Sequence, residues 1–284
     1  MAESLRFTAD ETRFLREAAS YLEHPGFVLR AANLVGMPAE GILNALPARA
    51  QALISDVTSA ALDRSLDWAV RTLPRDDDRS LKRWRMPGGQ HFHTAMTATT
   101  GAVGGLFGLI GAGLEIPATT TLMLRSIAEI AAKSGAQLND PAVRLQCIAV
   151  FSFGSPSLEK MESAYVSSRL GMSLAMRDAA GYLARHSSEE IGTALSHKSA
   201  PVLVRFLHKV ASRFKIVITQ KLAAQAVPIA GAAMGSVLNA AFMDHFNRVA
   251  EFHFGIVRLE RHYGQEAVQA AYERAVVETR GPAV

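Results

Sequence analysis

Thr94-Ala-Met-Thr-Ala-Thr-Thr-Gly-Ala-Val-Gly-Gly-Leu-Phe-Gly-Leu-Ile-Gly-Ala-Gly-Leu114 is a run of 21 residues with no charged side chain, and six of them are glycine. A second uncharged run, Leu222–Met243, is 22 residues long, rich in alanine, and carries Pro228, Gly231 and Gly235. A helix needs about 20 consecutive apolar residues to cross a hydrocarbon core. The choice is between helices that span, helices that dip into a bilayer and helices that pack against each other inside a protein. The first run has few large apolar side chains, so its transfer free energy is small for its length. Gly101/Gly105 and Gly104/Gly108 place small residues four apart, which allows close helix–helix approach. Both runs therefore read first as a buried helical pair, ahead of a re-entrant hairpin and of a true span.

Outward from these runs, the 284-residue chain is long enough to bury a substantial core. Only 7% of residues are aromatic, so Ala, Leu, Val and Gly carry most of the packing. Helix start and stop signals recur almost throughout. Thr8 and Glu11 form a capping-box pair opening a helix to about Leu22, closed by His24-Pro25-Gly26. Pro47 suits the first turn of a helix running to Leu73, with Leu53, Val57, Ala60, Ala61 and Trp68 at helical spacing. Gly135 closes one helix and Asp140-Pro141 opens the next; Ser187 and Glu190 repeat the capping-box pattern. Pro201 opens a helix to about Ala226, interrupted by Pro228, and Gly264 parts the last two, to about His262 and from Gln265 to Arg280. No segment alternates with period two. The reading is all-α: one domain over 1–284 of about nine to eleven helices, with N-terminal helices over 8–73, an exposed polar linker over 75–89, and a core over 90–280 around the Gly/Ala-rich pair.

The N-terminus has no secretory signal pattern, which makes the cytoplasm the default compartment, with peripheral membrane attachment as the extension. The single cysteine excludes an internal disulfide, and Cys147, in an apolar stretch, reads as an inert core thiol. Net charge is +4, unevenly spread: no acid occurs between Glu190 and Asp244, whereas Lys198, Arg205, Lys209, Arg213, Lys215 and Lys221 do. Leu203, Leu207, Val210, Phe214, Val217 and Ile218 fall on one helical face, and Arg205, Lys209 and Arg213 recur at i, i+4, i+8 on another. A basic amphipathic helix of this kind suits an anionic membrane surface, and equally a solvated face of a bundle. Aromatic residues are not interleaved with the charge, so nucleic acid is excluded as a partner.

Chemical motifs are sparse. The glycine run lacks the Gly-Lys-Ser/Thr ending of a phosphate loop. Ser157-Leu-Glu-Lys160 matches a Ser-x-x-Lys pattern without its companion motifs and reads as coincidence. His91 and His93 precede the first run; Asp244 and His245 follow the second, and His253 shares a helical face with His245, two turns on. With Glu115 they define a candidate hydrolytic or metal site, should the two runs meet; satisfied histidines are the plainer reading. Arg125, among Leu122, Met123, Leu124 and Ile127, reads as an ion-pair partner of Glu129 or as a charge inside a ligand cavity.

The order of these motifs resembles a known family. Gly101-Ala-Val-Gly-Gly-Leu-Phe-Gly-Leu through Glu115-Ile-Pro, Thr121-Leu-Met-Leu-Arg125, Glu162-Ser-Ala-Tyr165, Lys221-Leu-Ala-Ala-Gln225-Ala-Val-Pro228, Asn239, Asp244-His245-Phe246 and Arg258-Leu-Glu260-Arg-His-Tyr263-Gly264 resemble the bacterial EcsC family over roughly residues 45–275. Two departures stand out, Ser167-Ser168 after Tyr165 and Glu251-Phe252 before His253. The resemblance implies a helical, cytoplasmic or membrane-associated protein and no established catalytic residue. The expectation is a lipid- or membrane-associating protein, accessory to membrane transport or envelope lipid handling, with a hydrolytic enzyme as the alternative. Arg125, Gly104, Gly108, Gln225 and Asn239 are the expected ligand contacts, and Arg205, Lys209, Arg213 and Lys215 the expected membrane contacts. Partners would be an anionic membrane or lipid and membrane transport proteins; no cofactor or metal is expected.

Overall fold

Nine helices and the turns between them carry the described part of the chain. The computed structural model describes residues 7–23, 50–71, 115–153, 164–197, 199–226 and 231–280. In chain order the helices are α1 (Ala9–Leu22), α2 (Ala50–Arg71), α3 (described over 115–133), α4 (Pro141–Phe153), α5 (Ala164–Arg185), α6 (Ser188–Ser196), α7 (Pro201–Ala226), α8 (Gly231–Tyr263) and α9 (Gln265–Arg280). No strand occurs among the described residues, and the protein is all-α. The glycine run with Gly104 and Gly108 lies outside the described residues. So do the linker 75–89, His24-Pro25-Gly26, Pro47, His91, His93, Ser157–Lys160 and Pro228, and so do the side chains of Trp68 and Gln225.

Local chemistry sets the helix ends. The Thr8 hydroxyl accepts from Glu11 N–H at 3.2 Å while Thr8 N–H donates to the Glu11 carboxylate at 2.8 Å. Ser187 and Glu190 repeat this at 3.3 and 2.7 Å. Each box satisfies orphan N–H groups that helix geometry leaves without a partner, worth about 1 kcal/mol. After α3, Gly135 adopts φ +78°, and Ala136 N–H and Gly135 N–H return to Ala131 and Ala132 carbonyls at 3.0 Å each. This crossed pair closes the helix only with a left-handed residue at its turn. Asp140 caps α4 by accepting from Ala142 N–H at 2.8 Å. Gly264, at φ +85°, breaks α8 from α9.

α7 is the hub, touching α2, α4, α5 and α8. Its Leu203, Phe206, Val210, Phe214, Val217 and Ile218 are fully buried. The whole apolar face seen in the sequence is therefore consumed by the core and is not presented to a lipid. Phe151 of α4, Phe214 of α7 and Phe246 of α8 form an aromatic knot, with centroids 4.7–5.5 Å apart. In the second uncharged run Leu222, Ala223, Ala224, Leu238, Phe242 and Met243 are buried, while Val237 is exposed. Among the described residues no helix is long and apolar enough to cross a membrane. Cys147 is buried in α4, where desolvation pushes its thiol up to about 12, so it stays protonated and unreactive.

α1 docks against α8 and α9, joining the first described helix to the last two. Tyr263 donates to the Glu11 carboxylate at 2.8 Å and Tyr272 to Glu23 at 2.9 Å. The approach is close: a Cβ at Gly255 of α8 would lie 2.2 Å from the Phe14 ring of α1.

Candidate functional site

α8, 33 residues long, carries both histidines of the second motif. Their spacing of eight puts them on one face, and both are 2% exposed. Each finds a tyrosine, on a different helix. His245 Nδ1 shares a hydrogen bond of 3.3 Å with the hydroxyl of Tyr21 on α1, and the two rings stack. An open cleft beside this pair is lined by Glu17, Ser20, Tyr21, Asp244, Arg248 and Phe252, with Asp244 exposed to solvent.

His253 Nδ1 shares a shorter bond, 2.9 Å, with the hydroxyl of Tyr165 on α5. Tyr165 is 1% exposed, and its ring lies under the Arg169 guanidinium at 5.5 Å. Arg169, one helical turn on from Tyr165, forks onto both carboxylate oxygens of Glu260 at 2.6 and 2.9 Å. Glu260 is two turns along α8 from His253. Two helix faces thus interlock: Tyr165 and Arg169 at i, i+4 against His253 and Glu260 at i, i+7. A cavity of about 200 Å³ opens beside them, walled by α4, α5, α8 and α9. Phe153, Met172, Met176, Ile256 and Val268 line its apolar part. Leu170, Ser173 and Gln265, all exposed, rim its mouth.

Burial, and then the nearby Arg169 charge, hold the His253 imidazole well below its ordinary value of 6.5, so the ring is neutral. Burial likewise pushes the Tyr165 phenol above its ordinary value. With Nδ1 committed to Tyr165, His253 Nε2 is the remaining polar atom, and it is buried with no hydrogen-bond partner among the described residues.

A second buried polar centre lies on α7. Lys221, wholly buried, pairs with Glu115 of α3 and sits 5.2 Å over the Phe242 ring. The sequence counts Lys221 among the basic residues of the acid-free stretch; its position on the helix turns it inward toward α3. Burial lowers its ammonium from the ordinary value, against the pull of Glu115. Asn239 is also fully buried, and Arg125 is half-buried on α3. Glu129 pairs with Lys133 at 3.0 Å. Among the described residues no three His, Cys, Asp or Glu side chains gather where they could hold a metal ion.

The basic face of α7 meets α5. Lys209 donates to the Gly171 carbonyl at 2.7 Å and Arg213 to the Ser168 hydroxyl at 2.7 Å. Arg205 is exposed and Lys215 half-buried. The helices run antiparallel, which sets Arg205, Lys209 and Arg213 alongside α5 residues 168–175. There Leu170 and Leu174 are 55% and 57% exposed. The two sequence departures have roles here: Ser168 receives Arg213, and Phe252 packs on Phe14 and Tyr21 at 5.8 and 5.4 Å.

Sequence reasoning selects His245 and His253 but passes over Tyr21, Arg169 and Tyr272. Arg169 is signalled only by its i+4 spacing from Tyr165. Tyr21 and Tyr272 carry no local signal, because they act across elements more than 200 residues apart in the chain.

The fold and cavity define a class: an all-α bundle around a buried tyrosine–histidine pair and a small mixed cavity. The EcsC protein family model matches residues 50–259, well over half of the chain, and the protein belongs to the EcsC family. No curated protein and no solved structure matches it. α1 lies outside the matched range and α9 follows it, yet α9 supplies one wall of the cavity.

Proposed function

We propose that the protein associates peripherally with anionic membranes through the paired α5–α7 face, as an accessory to membrane transport or envelope lipid handling. The observation that supports this is the juxtaposition of exposed Leu170 and Leu174 with Arg205, Lys209 and Arg213. Each basic side chain near an anionic leaflet contributes about 1 kcal/mol, and exposed leucines add burial at the headgroup boundary. The apolar contribution comes from α5, since α7 has spent its own apolar face in the core.

Co-flotation with phosphatidylserine-containing vesicles tests the reading. Binding falls with rising salt, is weakened by Arg205→Glu, and is weakened again by Leu174→Ser, a position exposed enough to leave the fold intact. Equal recovery with neutral and anionic vesicles, or no change in either variant, overturns it.

A further inference from the structure

Leu170 rims the cavity beside Tyr165 and also belongs to the α5–α7 face, but the chemistry inside the cavity is independent of the membrane reading. Phe153, Ile256 and Val268 line its apolar part and are at most 2% exposed. The space is about 200 Å³; apolar cavities of about 150 Å³ in other proteins already admit benzene-sized molecules. The polar lining holds charges of both signs. Arg169 and Glu260 lie in the wall with 25% and 12% of their side-chain surface still accessible. A guanidinium has five N–H groups, and Arg169 gives two of them to Glu260. A carboxylate has about four lone-pair sites, and this fork fills two. Each member of the pair thus keeps bonding capacity beyond the fork. Neutral amides complete the lining. Gln146, half-buried on α4, has no hydrogen-bond partner among the described residues, and Gln269 donates to Glu273 at 2.9 Å, which leaves its carbonyl.

We propose that this cavity binds a free α-amino acid with an aliphatic side chain of about the size of leucine's. Its carboxylate accepts from Arg169, its ammonium donates to Glu260 and to the Gln269 carbonyl, and its side chain lies against Phe153, Ile256 and Val268. The Gln146 amide, donor and acceptor at once, serves either charged group. Arg169 and Glu260 are joined at 2.6 and 2.9 Å, so an anion and a cation bound to them sit side by side, as they do on the one carbon of an amino acid. A bare anion meets the Glu260 carboxylate next to the guanidinium, and a bare cation meets the guanidinium next to the carboxylate. In a wall of zero net charge neither is compensated. An uncharged ligand forgoes the charge-assisted bonds, which are about twice as strong as neutral ones.

The probes are leucine, glycine, isocaproate, isoamylammonium and phosphoethanolamine, titrated calorimetrically into the full-length protein. Leucine binds saturably. Isocaproate and isoamylammonium, which each lack one of its charges, bind at least about tenfold more weakly. So do glycine, which lacks the side chain, and phosphoethanolamine, the head of a zwitterionic lipid. Glu260→Gln keeps the shape of the wall and gives it a net positive charge, so the preference inverts: isocaproate gains and leucine loses about tenfold. A pair that only ties two helices together would weaken both probes alike. Val268→Phe fills the apolar part from a helix that holds neither charge, and it abolishes leucine binding while the thermal midpoint shows a folded protein. Should that variant not fold, the inversion in Glu260→Gln decides. No saturable binding of leucine, isocaproate or phosphoethanolamine binding as tightly as leucine, or no inversion in Glu260→Gln overturns the proposal. Vesicle binding does not enter this test, so the two readings fail separately.

Discussion

Two ion pairs of this protein are built from the same chemistry and are used differently. Lys221 and Glu115 are sealed between α7 and α3, with side chains 0% and 3% exposed. Arg169 and Glu260 join α5 to α8 at 25% and 12% exposure and form one wall of a cavity. A sealed pair is held in place by the desolvation cost of separating it: removing one partner strands the other charge in a low-dielectric interior. The cavity-lining pair keeps some access to water and neutralises its wall. Burial, more than residue type, separates the two pairs.

The largest test breaks the sealed pair. Glu115→Leu strands Lys221 and lowers unfolding free energy by about 3–5 kcal/mol, read from the urea midpoint. The double variant Glu115→Leu/Lys221→Met recovers most of the loss, since two apolar side chains of similar size replace a costly pair. Failure to recover means that the pair has partners whose geometry depends on its charge. At the other pair, Arg169→Met is milder, about 2 kcal/mol, because Glu260 remains within reach of solvent.

Acid sharpens the contrast further. His253 is held below 6.5 in the fold and titrates near 6.5 when unfolded. As pH falls through 6.5 the unfolded chain takes up a proton that the native ring refuses, so stability falls with pH. Above 6.5 the contribution is complete and flat. The slope reaches about 1.4 kcal/mol per pH unit for this one group. Of the groups around it, Tyr165 and Arg169 are both raised from their ordinary values and keep their charge states through pH 5–7, and Glu260 is paired with Arg169. Denaturation at pH 7, 6 and 5 measures the slope, and His253→Phe flattens it. A wild-type slope unchanged in that variant assigns the acid sensitivity elsewhere.

The smallest effect is expected at the joint between the cavity-side helices. Gly264→Ala forces a side chain into φ +85° and costs about 1 kcal/mol. Hydrogen exchange should report the loss in α9, the cavity wall, and leave the amides of α7 around Lys221 unchanged.

Much of the framework is legible before any fold exists. Both capping boxes, the Gly135 and Gly264 stops, Asp140 at the start of α4, and the bounds of α7 are written in residues three or four apart, where the chemistry is local. The buried face of α7 is equally legible, because helical period translates directly into a stripe. The roles of that stripe and of the charges beside it are not. Whether an apolar face meets a core or a lipid depends on what packs against it, and here α2, α4, α5 and α8 claim it.

The same boundary divides the site. The sequence by itself determined an all-α chain, the family, and two histidines sharing a face of α8, because spacing along one helix fixes relative orientation. Only the tertiary structure decided that His245 meets Tyr21, that His253 meets Tyr165 beside a neutralised cavity wall, and that Lys221 is buried against Glu115. Those contacts join residues 88 to 224 positions apart. They follow from packing of whole elements, whose energy is spread over the core and is not encoded at any single pair of positions.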